Sequence, residues 1–305
     1  MKKETFLVHL SALLSMFFWG MSYVWSKQVF EVLQPASTVF IRLIISSVFL
    51  FLVLKILRKT EHIKRKHIGM FLVSSLFNPF FYFMGESFGL NLASPTVSAV
   101  IIATIPVFMP VFAYMLLKEK LGFVNVIGLI VSFLGVLVMI IQRDYTLTAS
   151  PKGILYLFGA VASALVYGIL LKKLTLNYKP LTIVWVQNSI GIFYFLPVVL
   201  LFETESLSNA VFSFNLLSNL LLLGVFASSL AFVFFTFTVS KIGIARTNIY
   251  TNLIPVFTAF FSYFLLGEII TFDKILGITL VIIGVILSQK RKKLTFDLKT
   301  KKLYE

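Results

Sequence analysis

Residues 105–119 read IPVFMPVFAYMLLKE, and residues 254–268 read IPVFTAFFSYFLLGE. The second stretch repeats the first at a constant offset of 149 residues, and the match continues beyond it. The identical pairs outside the runs of Val and Leu are Pro106 with Pro255, Phe108 with Phe257, Phe112 with Phe261, Tyr114 with Tyr263, Glu119 with Glu268, Phe123 with Phe272, Gly128 with Gly277 and Gly135 with Gly284. Chance overlap of apolar residues does not supply proline, tyrosine, glutamate and glycine together. The sequence therefore predicts a duplicated unit.

Composition places this unit in a membrane. The chain is 59% hydrophobic and 13% charged, with a mean hydropathy of +0.97. A soluble core cannot hide that much apolar surface, whereas lipid accepts it directly. The chain has no cysteine, which excludes disulfides, thiolate catalysis and Cys-based zinc sites. These properties predict an all-α integral membrane protein.

Apolar stretches long enough to cross about 30 Å of hydrocarbon recur along the chain. The sequence predicts ten transmembrane helices, which span residues 6–27, 36–56, 68–90, 95–117, 121–142, 152–172, 181–202, 215–240, 244–266 and 272–289. They form two five-helix repeats, at 1–145 and 150–290, followed by a basic cytoplasmic tail at 291–305. Because five crossings is an odd number, the second repeat enters from the opposite side, and the two repeats are inverted.

The basic residues indicate the orientation. Of the 27 Lys and Arg residues, 22 fall in the N-terminus, the C-terminus and the loops on one side, four fall on the other side and Arg42 lies within a span. Since Lys and Arg resist translocation, the rich side is cytoplasmic. The sequence thus predicts a multi-pass protein of the inner (cytoplasmic) membrane with both termini in the cytoplasm. The net charge of +15 is explained by this topology and does not call for a nucleic-acid partner.

The repeated pattern resembles the EamA-type family of the drug/metabolite transporter superfamily. The resemblance rests on Ile105-Pro106-Val107-Phe108 through Glu119 to Gly128 and Gly135, on its second copy, on Arg42 in the second helix and on Trp19-Gly20 in the first. It implies two inverted repeats, alternating access and transport of a small metabolite, frequently the export of an amino acid or related compound in bacterial members. The substrate itself does not follow from the resemblance.

Two charges embedded in the spans are the first candidates for substrate binding. Arg42 and Glu86 both fall in the outer third of the membrane, where a buried charge is a functional hypothesis by default. They either pair with each other as a static lock or bind a zwitterionic or anionic solute, with Arg42 as the carboxylate ligand. Glu86 is also the embedded carboxylate on which any proton coupling would rest. In a weaker match at offset 145, Arg42 corresponds to Gln187.

Neutral polar groups complete the predicted site. Gln187 and Asn188 supply contacts to the solute or else bond one helix to another, and Asn248 and Asn252 line the pathway or do the same. The predicted wall residues, all within helices one and three, are Trp19, Tyr23, Asn78 and Tyr82. Pro106 and Pro255 are predicted hinges, with a passive kink as the alternative. Glu119 and Glu268, at helix exits, are interpreted as structural.

Other classes of protein fit less well. An enzyme needs converging acid, base, nucleophile or metal ligands, but Asp144, Asp273 and Asp297 lie outside the spans and His9 stands alone near the start of the first. No nucleotide-binding loop, cofactor or metal site is predicted. A channel and a non-transporting structural subunit remain alternatives. The expected partners are a small-molecule substrate and the lipid bilayer, and a homodimer is left open.

Overall fold

The described residues fold into helices, most of which lie on the predicted spans. The structure is a computed structural model that describes residues 2–108, 112, 123–140 and 149–288. The remaining half of the predicted span 95–117, Glu119 and the tail 291–305 lie outside the described residues. The α-helices are α1 Lys2–Phe30, α2 Pro35–Ile56, α3 Arg65–Ser75, α4 Tyr82–Asn91, α5 Pro95–Ile102, α6 Phe123–Ile140, α7 Pro151–Leu174, α8 Pro180–Phe202, α9 Thr204–Ser208, α10 Phe214–Leu222, α11 Ala231–Ile242, α12 Ile244–Thr247, α13 Leu253–Leu266 and α14 Phe272–Ser288.

Seven helical segments within the described residues are long and apolar enough to cross a membrane. They are Glu4–Phe30, Pro35–Ile56, Arg65–Asn91, Pro151–Leu174, Pro180–Phe202, Phe214–Ile242 and Asn248–Leu266. Large apolar side chains such as Leu52, Phe193 and Leu201 face outward, as lipid contact requires. The protein is a multi-pass membrane protein. The number of ten crossings and the inversion of the second repeat stay predictions.

The third helical segment of each half is interrupted by a π-helical stretch. Leu76–Phe81 joins α3 to α4, and Leu223–Leu230 joins α10 to α11. In the first of these, Asn78 has φ −146° and ψ 118°, an extended conformation that Pro79 imposes on the residue before it. The carbonyl of Phe77 then accepts a hydrogen bond from the Ser163 hydroxyl at 2.6 Å, on α7. The break therefore turns Asn78 out of the helical register, which the sequence analysis did not predict.

The helices are also interrupted near the two predicted hinges. α5 ends at Ile102, two residues of turn follow, and Pro106 lies at the start of the next helical residues, 105–108. Pro255 is the third residue of α13, directly after a 3-10 stretch, Asn248–Asn252. In the first turn of a helix the missing N–H of proline costs little. Each proline thus begins a helical segment instead of kinking a continuous one.

The repeated glycines hold α6 and α14 together. A Cβ on Gly135 would lie 2.8 Å from the carbonyl oxygen of Gly277, and one on Gly284 would lie 2.6 Å from the carbonyl oxygen of Gly128. Because these positions carry no side chain, the two backbones touch, which is how small residues bring membrane helices together. The repeated glycines therefore allow close packing between α6 and α14, the last helices of the two halves.

Three helices that begin with proline have their first N–H groups bonded by glutamates distant in sequence. Glu203, just after α8, accepts from the backbone nitrogens of Ala36 and Ser37 in α2. Glu61, after α2, accepts from the nitrogen of Lys179 before α8 at 2.9 Å. Glu268, after α13, accepts from the hydroxyl of Thr96 in α5 at 2.9 Å. A carboxylate at this place satisfies N–H groups that no helical carbonyl reaches and opposes the helix dipole.

Candidate functional site

Most of the predicted polar residues meet in a buried cavity between helices of both halves. Its first part, here called the charged lobe, is narrow, with a cavity volume of about 10 Å³. The charged lobe is lined by Trp19, Ser22, Tyr23, Arg42, Tyr82, Phe83, Glu86, Phe232 and Ile254. Gly20 allows this arrangement, since a Cβ there would lie 3.3 Å from the Thr258 nitrogen, and the Thr258 hydroxyl donates to the Gly20 carbonyl at 3.2 Å. The Trp19-Gly20 motif therefore brings α1 against α13.

Arg42 is fixed in the charged lobe but keeps donors free. Its side chain is 2% exposed, and its Nε donates to the Ser228 hydroxyl at 2.7 Å. The guanidinium carbon lies 4.4 Å from the centre of the Phe83 ring, within range of a cation–π interaction. In the described part of the chain, neither terminal nitrogen of Arg42 has a hydrogen-bond acceptor. A pre-positioned guanidinium with open donors is a ready ligand for a carboxylate.

Glu86 is held by two tyrosines through one of its oxygens. Its Oε1 accepts from the Tyr82 hydroxyl at 2.8 Å and from the Tyr23 hydroxyl at 3.1 Å. Its Oε2 has no hydrogen-bond partner among the described residues. The carboxylate is thus oriented, with one face open to the cavity.

Arg42 and Glu86 do not form an ion pair. The ion pairs of the described residues are Lys179 with Glu61, Lys241 with Glu4 and Lys274 with Glu268. The static lock, one of the two expectations for these charges, is therefore absent because each is anchored separately, by Ser228 and by the tyrosines. Both charges face one cavity without neutralising each other directly.

The second part of the cavity, here called the amide lobe, adjoins the first. Its cavity volume is about 50 Å³, and it shares Trp19, Tyr82, Phe232 and Ile254 with the charged lobe. Its other lining residues are Asn78, Ile102, Ile105, Ala164, Tyr167, Gly168, Phe235, Ile244, Asn248 and Thr251. The Trp19 ring packs against Phe232 and Phe235, at 4.9 and 5.1 Å between ring centres. The wall between the two polar ends is therefore mostly apolar and aromatic.

Gln187 and Asn188 lie outside both lobes. Gln187 donates to the Ser74 hydroxyl at 2.6 Å and accepts from Tyr167 at 3.2 Å. Asn188 donates to the Ser46 hydroxyl at 2.7 Å and to the Ser228 carbonyl at 2.9 Å. Both amides thus bond one helix to another, which is the second of the two alternatives stated for them, and contact with the solute stays a prediction. Asn188 supports the segment that carries Ser228 and so stands behind Arg42.

The remaining predicted residues, Asn252, Pro106 and Pro255, line neither lobe. Asn252 is 5% exposed and lines neither lobe. Pro106 and Pro255 do not line the lobes, but their neighbours Ile105 and Ile254 do. The described residues contain no group of three His, Cys, Asp or Glu side chains that could hold a metal ion.

Several wall residues were missed by the sequence analysis. They are Ser22, Phe83, Ile102, Ile105, Tyr167, Phe232 and Phe235. The available signal was helical spacing: Phe232 and Phe235 lie three residues apart, as residues on one helical face do. In a chain with 34 Phe that signal does not separate a cavity wall from lipid-facing residues.

A bundle of apolar helices around a buried, charged cavity is the architecture of a membrane transporter. The model of the EamA-like transporter family matches residues 6–141 and again 151–289, and the chain belongs to this family. It is similar to an uncharacterized transporter of Archaeoglobus fulgidus, at 26% identity over 92% of this chain and 97% of that one. It is also similar to the uncharacterized transporter YvbV of Bacillus subtilis, at 28% identity over 90% and 89%.

The fold is matched by a solved protein crystal structure. The TM-score is 0.70 with 14% sequence identity, and the match covers 92% of this chain and 97% of that chain. At this identity the likeness concerns the fold alone. The chain and its relatives share nearly their full lengths, so the transporter architecture extends over the whole described protein.

Proposed function

We propose that the protein is a secondary transporter that exports an amino acid or a related zwitterionic compound across the cytoplasmic membrane by alternating access. The observation that carries the proposal is the charged lobe, in which Arg42 and Glu86 face one cavity unpaired. Each is oriented by neutral partners and keeps open valences toward the same space.

A zwitterion complements these unbonded donors and acceptors. Its carboxylate would bond the terminal nitrogens of Arg42, and its ammonium group would bond Oε2 of Glu86. Because a charge buried within the membrane is costly, a solute that compensates both charges is preferred over a neutral one. An analogue that lacks either charge would leave a buried partner unpaired and be rejected.

The direction and the mechanism rest on different arguments. Two inverted repeats can exchange conformations of nearly equal energy, which yields alternating access to one central site. The interruptions next to Pro106 and Pro255 border the cavity through Ile105 and Ile254 and provide places where helices can bend. The excess of basic residues on one side supports a cytoplasmic position for both termini. The family resemblance favours export.

The test is counterflow in vesicles that contain the purified protein. Vesicles are loaded with one unlabelled amino acid at a time, and uptake of the same labelled amino acid is followed. We expect saturable counterflow that accelerates with substrate on the far side, and its loss in Arg42→Gln and Glu86→Gln. The matched controls are Arg65→Gln and Glu205→Gln, whose side chains are exposed outside the cavity.

The outcomes separate the classes of protein. Flux without saturation or acceleration indicates a channel, and no flux with any solute indicates a structural subunit. Full counterflow in both cavity variants would refute recognition by the charged lobe while leaving a carrier.

A further inference from the structure

Two buried amides in the amide lobe lack partners. Asn78 is 6% exposed and Asn248 is 3% exposed, and neither side chain has a hydrogen bond to any described residue. Other buried amides of the protein are bonded, among them Gln187, Asn188 and Asn219. The great majority of buried polar groups are hydrogen-bonded. Asn252 also has a buried amide oxygen without a partner, but it lines neither lobe, whereas Asn78 and Asn248 are unbonded amides that line the cavity.

Both unbonded amides lie where a helix is interrupted. Asn78 has its extended conformation at the π-helical stretch of the first half, and Asn248 begins the 3-10 stretch that precedes α13 in the second half. Both side chains line the amide lobe, and neither lines the charged lobe. The two halves thus each contribute one open amide to the same space.

Apolar residues separate the amides from the charges. Trp19, Phe232 and Ile254 belong to both lobes, and Ile102, Ile105 and Phe235 extend the apolar wall around the amides. The three hydroxyls that line this lobe already donate: Tyr167 to Gln187, Thr251 to the Asn248 carbonyl and Tyr82 to Glu86. Asn78 and Asn248 are therefore the side chains of this lobe that offer both an unbonded donor and an unbonded acceptor among the described residues.

We propose that Asn78 and Asn248 recognise the end of the solute's side chain, so that the substrate is an amino-acid-type zwitterion whose side chain is apolar along its length and ends in an uncharged hydrogen-bonding group. The inference rests on the proposed function, because it places the zwitterionic head in the charged lobe. An amide offers both donors and an acceptor, which suits a hydroxyl, carbonyl or amide end.

The same two amides disfavour solutes whose side chains end in another kind of group. A wholly apolar side chain would leave two buried amides unpaired, and a site built to bond a polar group rejects analogues that lack it. A carboxylate or ammonium end would bring a further charge into the apolar lobe with only neutral partners. The amides thus provide selectivity for the end of the side chain, and Arg42 and Glu86 provide the affinity for the zwitterionic head.

The experiment compares amino acids that differ in the terminal group alone. Counterflow is measured with 5-hydroxynorvaline against norleucine, which exchange a terminal hydroxyl for a methyl group of similar size, and with tyrosine against phenylalanine, which differ by one added hydroxyl. We expect wild-type protein to show a half-saturation concentration about tenfold lower for the hydroxyl member of at least one pair. In Asn78→Leu and Asn248→Leu, which keep the side-chain size, this preference should fall to about one while norleucine or phenylalanine is still transported.

Asn252→Leu is the matched control, because it replaces a buried amide near Asn248 that lines neither lobe. It should keep the wild-type preference. Arg42→Gln should lose both members of each pair together.

Each result decides the proposal. If wild-type protein transports both members of both pairs equally while Arg42→Gln abolishes transport, the zwitterion carrier stands and the role of the amides is refuted. A preference that survives in both Asn variants refutes it as well. If no amino acid shows counterflow, the proposed function fails and this inference fails with it. Because the first comparison uses wild-type protein alone, a variant that does not fold leaves the test intact.

Discussion

The Oε2 atom of Glu203 accepts hydrogen bonds from the backbone nitrogen of Ser37 at 2.6 Å and from its hydroxyl at 2.8 Å, although 166 residues separate the two. The other oxygen accepts from the nitrogen of Ala36 at 3.1 Å. Glu203 is 2% exposed and thereby completes the first turn of α2, the helix that carries Arg42. Helix α8 in turn is bonded at its start by Glu61, just beyond α2. In each half, the start of the second helix is therefore bonded by a glutamate that follows the second helix of the other half.

Glu203→Ala should destabilise the protein. The substitution leaves two buried N–H groups of α2 without acceptors, which costs about 1–3 kcal/mol for each buried group left unsatisfied. Thermal unfolding in detergent, followed by circular dichroism, measures the effect. Glu203→Gln, which keeps one acceptor oxygen, should fall between the wild type and Glu203→Ala. The matched control Glu205→Ala removes an exposed carboxylate two residues away, and equal stability of Glu203→Ala and Glu205→Ala would contradict the prediction.

The contribution of Glu268 to stability should depend on pH. Burial alone would raise the pKa of this carboxyl, but hydrogen bonds from Lys274, Ser94 and Thr96 and the charge of Lys274 outweigh it and hold the pKa below its ordinary value of 4.5. A folded-state pKa below the unfolded value means that the stabilisation is fully present above pH 4.5 and is lost as pH falls through the folded-state pKa. The difference in unfolding temperature between wild type and Glu268→Gln should therefore be largest near neutral pH and shrink in acid. A difference that stays constant with pH would show that Glu268 acts through packing alone.

Ser228→Ala should weaken substrate binding by releasing Arg42. The Ser228 hydroxyl accepts from Nε of Arg42, and a hydrogen bond to a charged group contributes about 1.5–3 kcal/mol. If part of this is used to orient the guanidinium, the half-saturation concentration in counterflow rises by about tenfold, since 1.4 kcal/mol is a factor of ten. The neighbouring Ser229→Ala is the control, because its hydroxyl bonds Ser46 and Gly224 and not Arg42. Equal effects of the two substitutions would argue against a positioning role of Ser228.

Gly284→Ala should destabilise the contact between α6 and α14. The new methyl group would lie 2.6 Å from the Gly128 carbonyl oxygen, and backbone atoms cannot move aside as a flexible side chain can. Forcing an extra group into such a contact costs about 1–3 kcal/mol. Gly159→Ala is the control, since a Cβ there meets nothing within 4 Å. The unfolding temperature should drop for Gly284→Ala alone, and a drop of the same size in both variants would mean that helix packing is not the cause.

The sequence predicts the parts of this protein that the bilayer dictates. A bilayer of fixed thickness sets the length of apolar stretches, so the positions of the helices could be inferred, and an embedded charge such as Arg42 or Glu86 stands out for the same reason. The repeat register identified Gly135 and Gly284 as special, although not that they touch across α6 and α14.

Contacts between distant residues were not predictable in this way. Glu203 directly follows a predicted span and looks like a loop residue, because nothing local shows that the start of α2 lies beside it. Pro79 was overlooked as a breaker since apolar residues continue on both sides, so Asn78 was assigned to a wall without its extended backbone. Gln187 was matched to Arg42 by register, but its partners Ser74 and Tyr167 come from two other helices. The sequence shows which groups are buried and not whether a neighbour has already bonded them.

The touching backbones of α6 and α14 bear on how such a carrier can move. Helices that meet carbonyl against Cα, without side chains between them, cannot slide or rotate past each other without opening a void that lipid cannot fill. The two helices are therefore expected to move as one rigid pair. In the transport cycle proposed above, we expect the motion to take place around this pair, in the segments that contain the π-helical and 3-10 stretches. Those segments contain Asn78 and Asn248, which line the cavity, and Ser228, which bonds Arg42.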